Sequence, residues 1–474
     1  MANTKSAKSL PRSFVSVQSI RSEKALPGKS LVSGRDDRHN FEKMLTMACE
    51  RFQCTFTVNV VRETKQDYLK IFKQAILKSK RVSLLPAVNV EINAKQSPST
   101  ASSSSETSLT DRVPTIEVTT MCDNYNTLTE ILLTKLKEVP RTLMKILSLI
   151  APYYPNLARI TISKCAINMY TIYELSKIIE TSTITEICLD GSPVAGADYT
   201  LILDTTKISY ISLCRCNIQD DACKLLAAKL HYKGFAQNLL LLNLSSNRIT
   251  DEGAKHIGIA LRSNRRLRYL NLTDNHITDC GAGQILDALI EFPLTCEEIT
   301  SSRRGLLEYL KLRNDLYEKY LHQLHNTSFD DFSMVSRKSA SPRRKKTSLT
   351  NLRNKAAKGR KGAKTADDYI KTKTEMLTAE VLGPFEDPFQ HNSIKRIEGQ
   401  VYSIGNMSLA YLNLAYNNLT YMSVKKLENV IKYQSNYKTK SGLINVVIEG
   451  NNLPISCPEF TTLDKILAMK SVKK

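Results

Sequence analysis

Neither the signature motifs of an enzyme nor the long apolar runs of a membrane protein occur in this 474-residue chain. It has no phosphate-binding Gly-x-x-x-x-Gly-Lys-Ser/Thr loop, and no Ser/His/Asp, Cys/His or paired-carboxylate arrangement stands at informative spacing. Nucleotide hydrolysis and nucleophilic catalysis therefore lack their usual residues, and no catalytic residue, cofactor or small-molecule substrate is expected. No stretch reaches the roughly 18 consecutive apolar residues that a membrane helix needs. Residues 1–31 are basic and serine-rich without an apolar core of signal-peptide length, so the expected location is the cytoplasm.

Paired cysteines are missing as well. The 11 cysteines include no Cys-x-x-Cys pair, so they read as reduced thiols packed as small hydrophobes rather than as disulfide or zinc ligands. His322 and His325 lie three apart on an expected helix with no third ligand near in sequence, so no metal is assigned. The Asn-x-Ser/Thr sequons at Asn243, Asn271 and Asn418 come with strand patterning, and nothing directs them to a glycosylation route. Acidic residues are absent between Phe332 and Ala366, where 12 Lys and Arg account for much of the net charge of +21. No aromatics are interleaved from Arg337 to Lys364, so any polyanion bound there, with Arg343, Arg344, Lys345 and Lys346 at the centre, is held by salt-sensitive charge alone. Nucleic acid is thus not the expected partner. Ser339, Ser341 and Thr347 lie among these charges, where each phosphate would subtract about 1.5 to 2 units.

What the chain does contain is a repeat. Leu239, Leu242, Leu244, Asn247, Ile249, Asp251, Gly253, Ala254, Ile257, Ala260 and Leu261 recur 28 residues later as Leu267, Leu270, Leu272, Asn275, Ile277, Asp279, Gly281, Ala282, Ile285, Ala288 and Leu289. The pattern LxxLxLxxNxL is that of a leucine-rich repeat. Leu242 and Leu244 alternate on one strand and point to one side. Asn247 can satisfy backbone groups where the chain turns, and Asp251 and Asp279 stand where helix N-caps are expected. One strand and one helix per unit predict an α/β fold, a right-handed solenoid or horseshoe with a parallel concave sheet and convex helices, each unit burying its apolar face against its neighbours.

Further rungs start at Leu128, Leu157, Ile184 and Ile208, the first with Leu136 in the Asn slot, and Cys165 and Cys216 fill that slot in the second and fourth. The connection from Ala195 to Thr205 is short for a helix, so an irregularity is expected there. Rungs resume at Leu409 and Leu443, and Pro454 and Pro458 close the array. The expected organisation is a disordered basic N-terminus (1–37), a small helical segment (38–95), a serine-rich linker (96–113), six rungs (114–295), an extended helix (296–330), a basic disordered low-complexity insertion (331–395), two last rungs (396–460) and a tail (461–474). Helical spacing marks 40–52 and 68–77, and Leu306, Leu310, Tyr317 and Leu321 form a coiled-coil-like seam on the extended helix. Doubling the length of a loop adds only about 0.6 kcal/mol, so an insertion of this length is tolerable if the rungs stack across it.

The residues flanking the ladder form two columns on the concave face. One reads Glu130, Arg159, Glu186, Tyr210, Leu241, Tyr269, Tyr411, Asn445; the other reads Leu132, Thr161, Cys188, Ser212, Asn243, Asn271, Asn413, Val447. Tyrosines beside amides suit a protein-binding surface, so Tyr210, Arg215, Asn243, Tyr269, Asn271, Asp274, Tyr411 and Asn413 are the candidate contact residues.

With RYLNLTDNHITDCGAGQILDAL at 268–289, the helix EEITSSRRGLLEYL leading into a basic insert, and the late GQVYSIGNMSLAYLNLAYNNLT, the chain resembles the family of leucine-rich repeat-containing protein 71. The resemblance implies a ribonuclease-inhibitor-like solenoid without a catalytic motif, in cells bearing motile cilia or flagella. It implies a protein-binding axonemal scaffold with axonemal or microtubule-associated partners. Two other readings stand beside it: a regulator of a small GTPase, with Asp190, Arg215 and Asp274 as the contacts, and an electrostatic binder of nucleic acid or another polyanion.

Overall fold

The fold is taken from a computed structural model, which describes residues 40–64, 114–337, 366–437 and 442–472. The first helix, α1 (Phe41–Arg51), is capped by Asn40, whose side chain accepts from the Glu42 amide, and buries Phe41, Leu45 and Cys49. Two eight-residue strands follow, β1 (Thr57–Thr64) and β2 (Thr115–Cys122), paired in parallel. Then β3 (Leu128–Thr134) runs antiparallel to β2. Beyond it, strand and helix alternate: α2 (Arg141–Ile150), β4 (Arg159–Ser163), α3 (Met169–Thr181) and β5 (Glu186–Cys188). They continue as β6 (Tyr210–Ser212), α4 (Asp220–Leu230), β7 (Leu241–Asn243), α5 (Asp251–Ser263), β8 (Tyr269–Asn271) and α6 (Asp279–Asp287).

Next come a two-residue strand, β9 (Phe292–Pro293), and the long helix α7 (Cys296–Arg337). On the far side of the undescribed stretch lie α8 (Ala366–Leu382), β10 (Ile394–Ile397) and β11 (Gln400–Ser403). The chain closes with β12 (Tyr411–Asn413), α9 (Tyr421–Ser435), β13 (Asn445–Val447) and α10 (Pro458–Val472). The main sheet has ten strands in the order β1-β2-β3-β4-β5-β6-β7-β8-β12-β13, parallel from β3 onward. Ladder side chains such as Leu242, Leu244, Leu270, Leu272, Leu412 and Leu414 are buried between the sheet and the helices, in one continuous core.

Polar side chains sew successive rungs together. Asn247 Nδ2 donates to Leu213 O at 2.9 Å in the preceding rung, and its Oδ1 accepts from the Cys216 and Ile218 amides. Asn275 and Asn417 repeat the pattern on Leu244 O at 3.0 Å and Leu272 O at 2.9 Å. Where cysteine holds the slot, the thiol substitutes: Cys165 Sγ accepts from the Leu136 amide at 3.4 Å.

The expectation that Asp251 and Asp279 cap their own helices needs correction. The N-caps are Thr250 and Thr278, and each aspartate occupies the first helical turn. Its carboxylate instead caps the next unit: Asp220 accepts from the Thr250 and Gly253 amides (2.9 and 3.0 Å), Asp251 from Thr278 and Gly281 (2.7 and 3.0 Å), and Asp279 from Thr420 and Ser423 (2.9 and 3.2 Å). A carboxylate beside the N-terminal amides of a neighbouring helix satisfies donors that helix leaves open.

The rungs on either side of the interruption are adjacent. Leu270 pairs with Leu412 and Asn271 with Asn413. The chain's exit and return are joined as well, because Phe292–Pro293 pairs with Ser403 and Tyr402 of β11 in a second, three-stranded antiparallel sheet. Gly405, at φ +87, lies so close to the Ile290 carbonyl that a Cβ would collide with it. Beside it the fully buried Asn406 donates to Leu261 O and Asn264 O at 2.9 and 2.8 Å.

Other elements depart from the sequence reading. The segment expected to be helical over 38–95 supplies the strand β1 as well as α1, since TVNVVRET is β-branched enough to add an edge to the sheet. Its expected second helix, 68–77, and the linker at 96–113 lie outside the described residues. Residues 366–395, read as part of the insertion, contain α8, which packs on α7: Tyr309 donates to Gly383 O at 2.8 Å, and its ring meets Phe385 at 5.2 Å. The last residues read as rung, 458–460, and the described residues of the expected tail, 461–472, together form α10, which buries Phe460, Leu463 and Leu467 over the end of the array. In the short third unit two single turns of 3-10 helix, Ala195–Ala197 and Thr200–Leu203, stand in for a helix, and Tyr199 fills the space beneath them.

Candidate functional site

The strand register aligns both columns rung by rung, from Glu130 beside Arg159 through Tyr411 beside Asn445, and from Leu132 beside Thr161 through Asn413 beside Val447. Within each three-residue strand the central side chain is buried in the core. Its neighbours then face the other side of the sheet, and in β7, β8 and β12 they are half-exposed. This face divides into two chemically distinct halves.

The first half is charged. Arg159 donates through Nε to Glu186 at 2.6 Å, and Thr161 donates to Glu130 at 2.7 Å. Burial opposes the charge on Arg159, but Glu186 and Glu130 outweigh it and leave the guanidinium above its ordinary pKa. Arg159 also lies over the Tyr210 ring, 4.9 Å from its centre. These charges satisfy one another, so the half offers a partner shape more than free charge.

The second half is tyrosine and amide. Tyr269 and Tyr411 stack face to face, with ring centres 4.1 Å apart and planes 4° from parallel. Beside them run Asn243, Asn271 and Asn413. Asn243 donates to Ser212 Oγ at 2.9 Å, Asn271 Oδ1 accepts from Thr273 at 2.7 Å, and Asn413 donates to the Tyr411 hydroxyl at 3.4 Å. Burial pushes the Tyr210 phenol up to about 12 and raises Tyr269 as well, with Tyr411 adding to the latter. These hydroxyls therefore stay protonated near neutral pH and remain hydrogen-bond donors. Burial likewise pushes the Cys188 thiol up to about 12, so it is not poised as a nucleophile.

The remaining predicted contacts fall elsewhere. Arg215 and Asp274 lie in the turns after β6 and β8, exposed and at φ +56, and their amides donate to Ser245 O and Ala415 O of the next rung. Asp190 is already engaged, accepting from Ser212 Oγ at 2.6 Å and the Cys214 amide at 3.0 Å. Arg343, Arg344, Lys345 and Lys346, with Ser339, Ser341 and Thr347, lie outside the described residues. Among the described residues no cluster of three or more His, Cys, Asp or Glu could hold a metal, and no helix is long and apolar enough to cross a membrane.

The family model described as "Leucine Rich repeat" matches residues 236–258 and 263–285, which span the units built on β7 and β8. No curated protein matches the sequence. Repeats of this kind form scaffolds for protein–protein interaction and are generally not enzymes. By these two matched repeats, its parallel sheet and its stacked strand–helix units, the chain carries leucine-rich repeats.

Proposed function

We propose that the protein is a non-enzymatic scaffold that binds partner proteins on the concave, tyrosine-and-amide half of its strand face, within the axoneme of a motile cilium or flagellum. The observation that carries the binding surface is the Tyr269–Tyr411 stack with Asn271 and Asn413 beside it, formed where the rungs meet across the interruption. Rigid aromatic area costs little side-chain entropy to present, and amides beside it confer hydrogen-bonding specificity. The ciliary setting is supported by the family resemblance read from the sequence. The basic segment around Arg343, Arg344, Lys345 and Lys346 acts as an auxiliary anchor on acidic protein surfaces.

Proximity labelling in ciliated cells tests this. The wild-type protein should label axonemal proteins, and a Tyr269→Ser/Tyr411→Ser double variant of equal abundance should lose a subset of them. Recovery of no axonemal protein by the wild type would count against the setting. An unchanged list from the variant would count against the face. Stimulated GTP hydrolysis by a labelled small GTPase would favour the regulator reading instead.

A further inference from the structure

The long helix α7 has a second face that the repeat array leaves uncovered. It is fixed to the array and to the segment after α8 along one side. Glu298 receives a two-pronged hydrogen bond from Arg262 (2.8 and 2.7 Å), Ser301 receives one from Lys233 at 3.0 Å, and Tyr309 meets Gly383 and Phe385. Residues 298, 301, 305 and 309 follow helical spacing and define that side.

On the side turned away, Leu306, Leu307 and Leu310 are 42%, 55% and 46% exposed, at i, i+1 and i+4 on one stripe. The expected coiled-coil seam divides: Tyr317 lines the cleft against Glu375 and Thr378 of α8 and Leu321 is half-buried, while Leu306 and Leu310 are exposed. Three leucines side by side on a solvent face form a contiguous patch rather than isolated exposure.

The charges around the patch are of one sign. Arg303 precedes Leu306 and Leu307 by three and four residues on the same face, and Arg304 and Lys311 flank it, whereas Arg313 lines the cleft against α8 with Glu375. Arg303, Arg304 and Lys311 are exposed, and none of them forms an ion pair among the described residues. The one acid between Thr300 and Asn314 is Glu308, which the helical period places on the far side.

This pattern selects the occupant. Residues 1–39, 65–113 and 338–365 of the chain are each net basic by sequence, and a second copy would bring the same cations to the same patch. Like charges across a desolvated contact disfavour all of these. We propose that the exposed face of α7 is a docking site for an acidic amphipathic helix of a separate partner protein, whose apolar stripe covers Leu306, Leu307 and Leu310 while its carboxylates meet Arg303, Arg304 and Lys311. The mode is helix on helix, with apolar anchors one turn apart and charge setting specificity. The site goes beyond the strand face and does not depend on it.

The test uses the full-length protein and two synthetic amphipathic peptides with the same leucine stripe, one flanked by glutamates and one by lysines, in fluorescence anisotropy. The glutamate peptide should bind and the lysine peptide should not. Leu307→Ser/Leu310→Ser and Arg303→Glu/Arg304→Glu should each weaken binding by at least about tenfold, with an unchanged thermal melt, because the substituted side chains are exposed. Tyr269→Ser should leave it unchanged. Equal binding of both peptides, no binding, or α7 variants that bind like the wild type would overturn the proposal. So would a dimer in sedimentation that the leucine pair variant abolishes, since the occupant would then be a second copy.

Discussion

The buried amides decide whether one rung recognises the next. Asn417 illustrates this: its Nδ2 donates back to Leu272 O, and its Oδ1 accepts from the Ile277 amide at 3.1 Å, both across the interruption. Asn417→Ala strands these buried backbone groups and should cost about 1–3 kcal/mol, read as a lower urea midpoint at constant slope. Leu244→Asp, which places a carboxylate where the leucine is 1% exposed, should cost several kcal/mol and unfold the adjoining units. The asparagine slot was legible because its spacing from the leucines is fixed by the turn it closes. The role of Asp251 was not, since spacing alone does not say which helix a carboxylate will cap. A second amide column went unread: Asn264 and Asn406 each stand three residues before a ladder leucine and hold the entry to β8 and β12. That shared offset was the available signal.

Single elements were legible where one period dominates them. The strands β7, β8 and β12 and their helices follow directly from the ladder, whereas β1, β2 and α8 belong to no repeat, and local composition did not identify them. The anchor of α7 makes a prediction at this scale. Burial would raise the Glu298 carboxyl, but the hydrogen bonds from Arg262 and from the Thr295 amide outweigh it and hold the group below its usual value. A depressed folded-state pKa contributes stability above the unfolded value of about 4.3, lost as pH falls through the lower folded value. The protection of α7 amides against hydrogen exchange, taken relative to the intrinsic rate at each pH, should therefore fall on acidification through that window. Glu298→Gln should exchange faster at neutral pH and lack that part of the pH dependence. At the neck, Gly405→Ala meets both the φ of +87 and the Ile290 carbonyl. It should destabilise the junction by about 1–3 kcal/mol, seen as faster exchange in β9 and β11.

Across the whole molecule, the interruption is bridged in four independent ways: by the β8–β12 ladder, by Asn417, by Asp279 with Thr420 and Ser423, and by the small sheet at the neck. None of these uses residues 338–365. Replacing that stretch by a short Gly/Ser linker should leave the melting temperature nearly unchanged while weakening any salt-sensitive attachment to acidic protein surfaces. Sequence made the stacking of distant rungs plausible through their shared ladder, but only the pairing register settles which rungs touch. The binding face depends on that adjacency, because the Tyr269–Tyr411 stack exists only if the two strands are neighbours.

The direct measurement is the distance between spin labels carried by noncanonical residues at positions 274 and 416, the exposed turn positions after β8 and β12, in the full-length protein. Neighbouring strands lie about 4.8 Å apart, so the label-to-label distribution should peak below about 25 Å. A population centred beyond about 40 Å would separate the two rungs and contradict the continuous strand face.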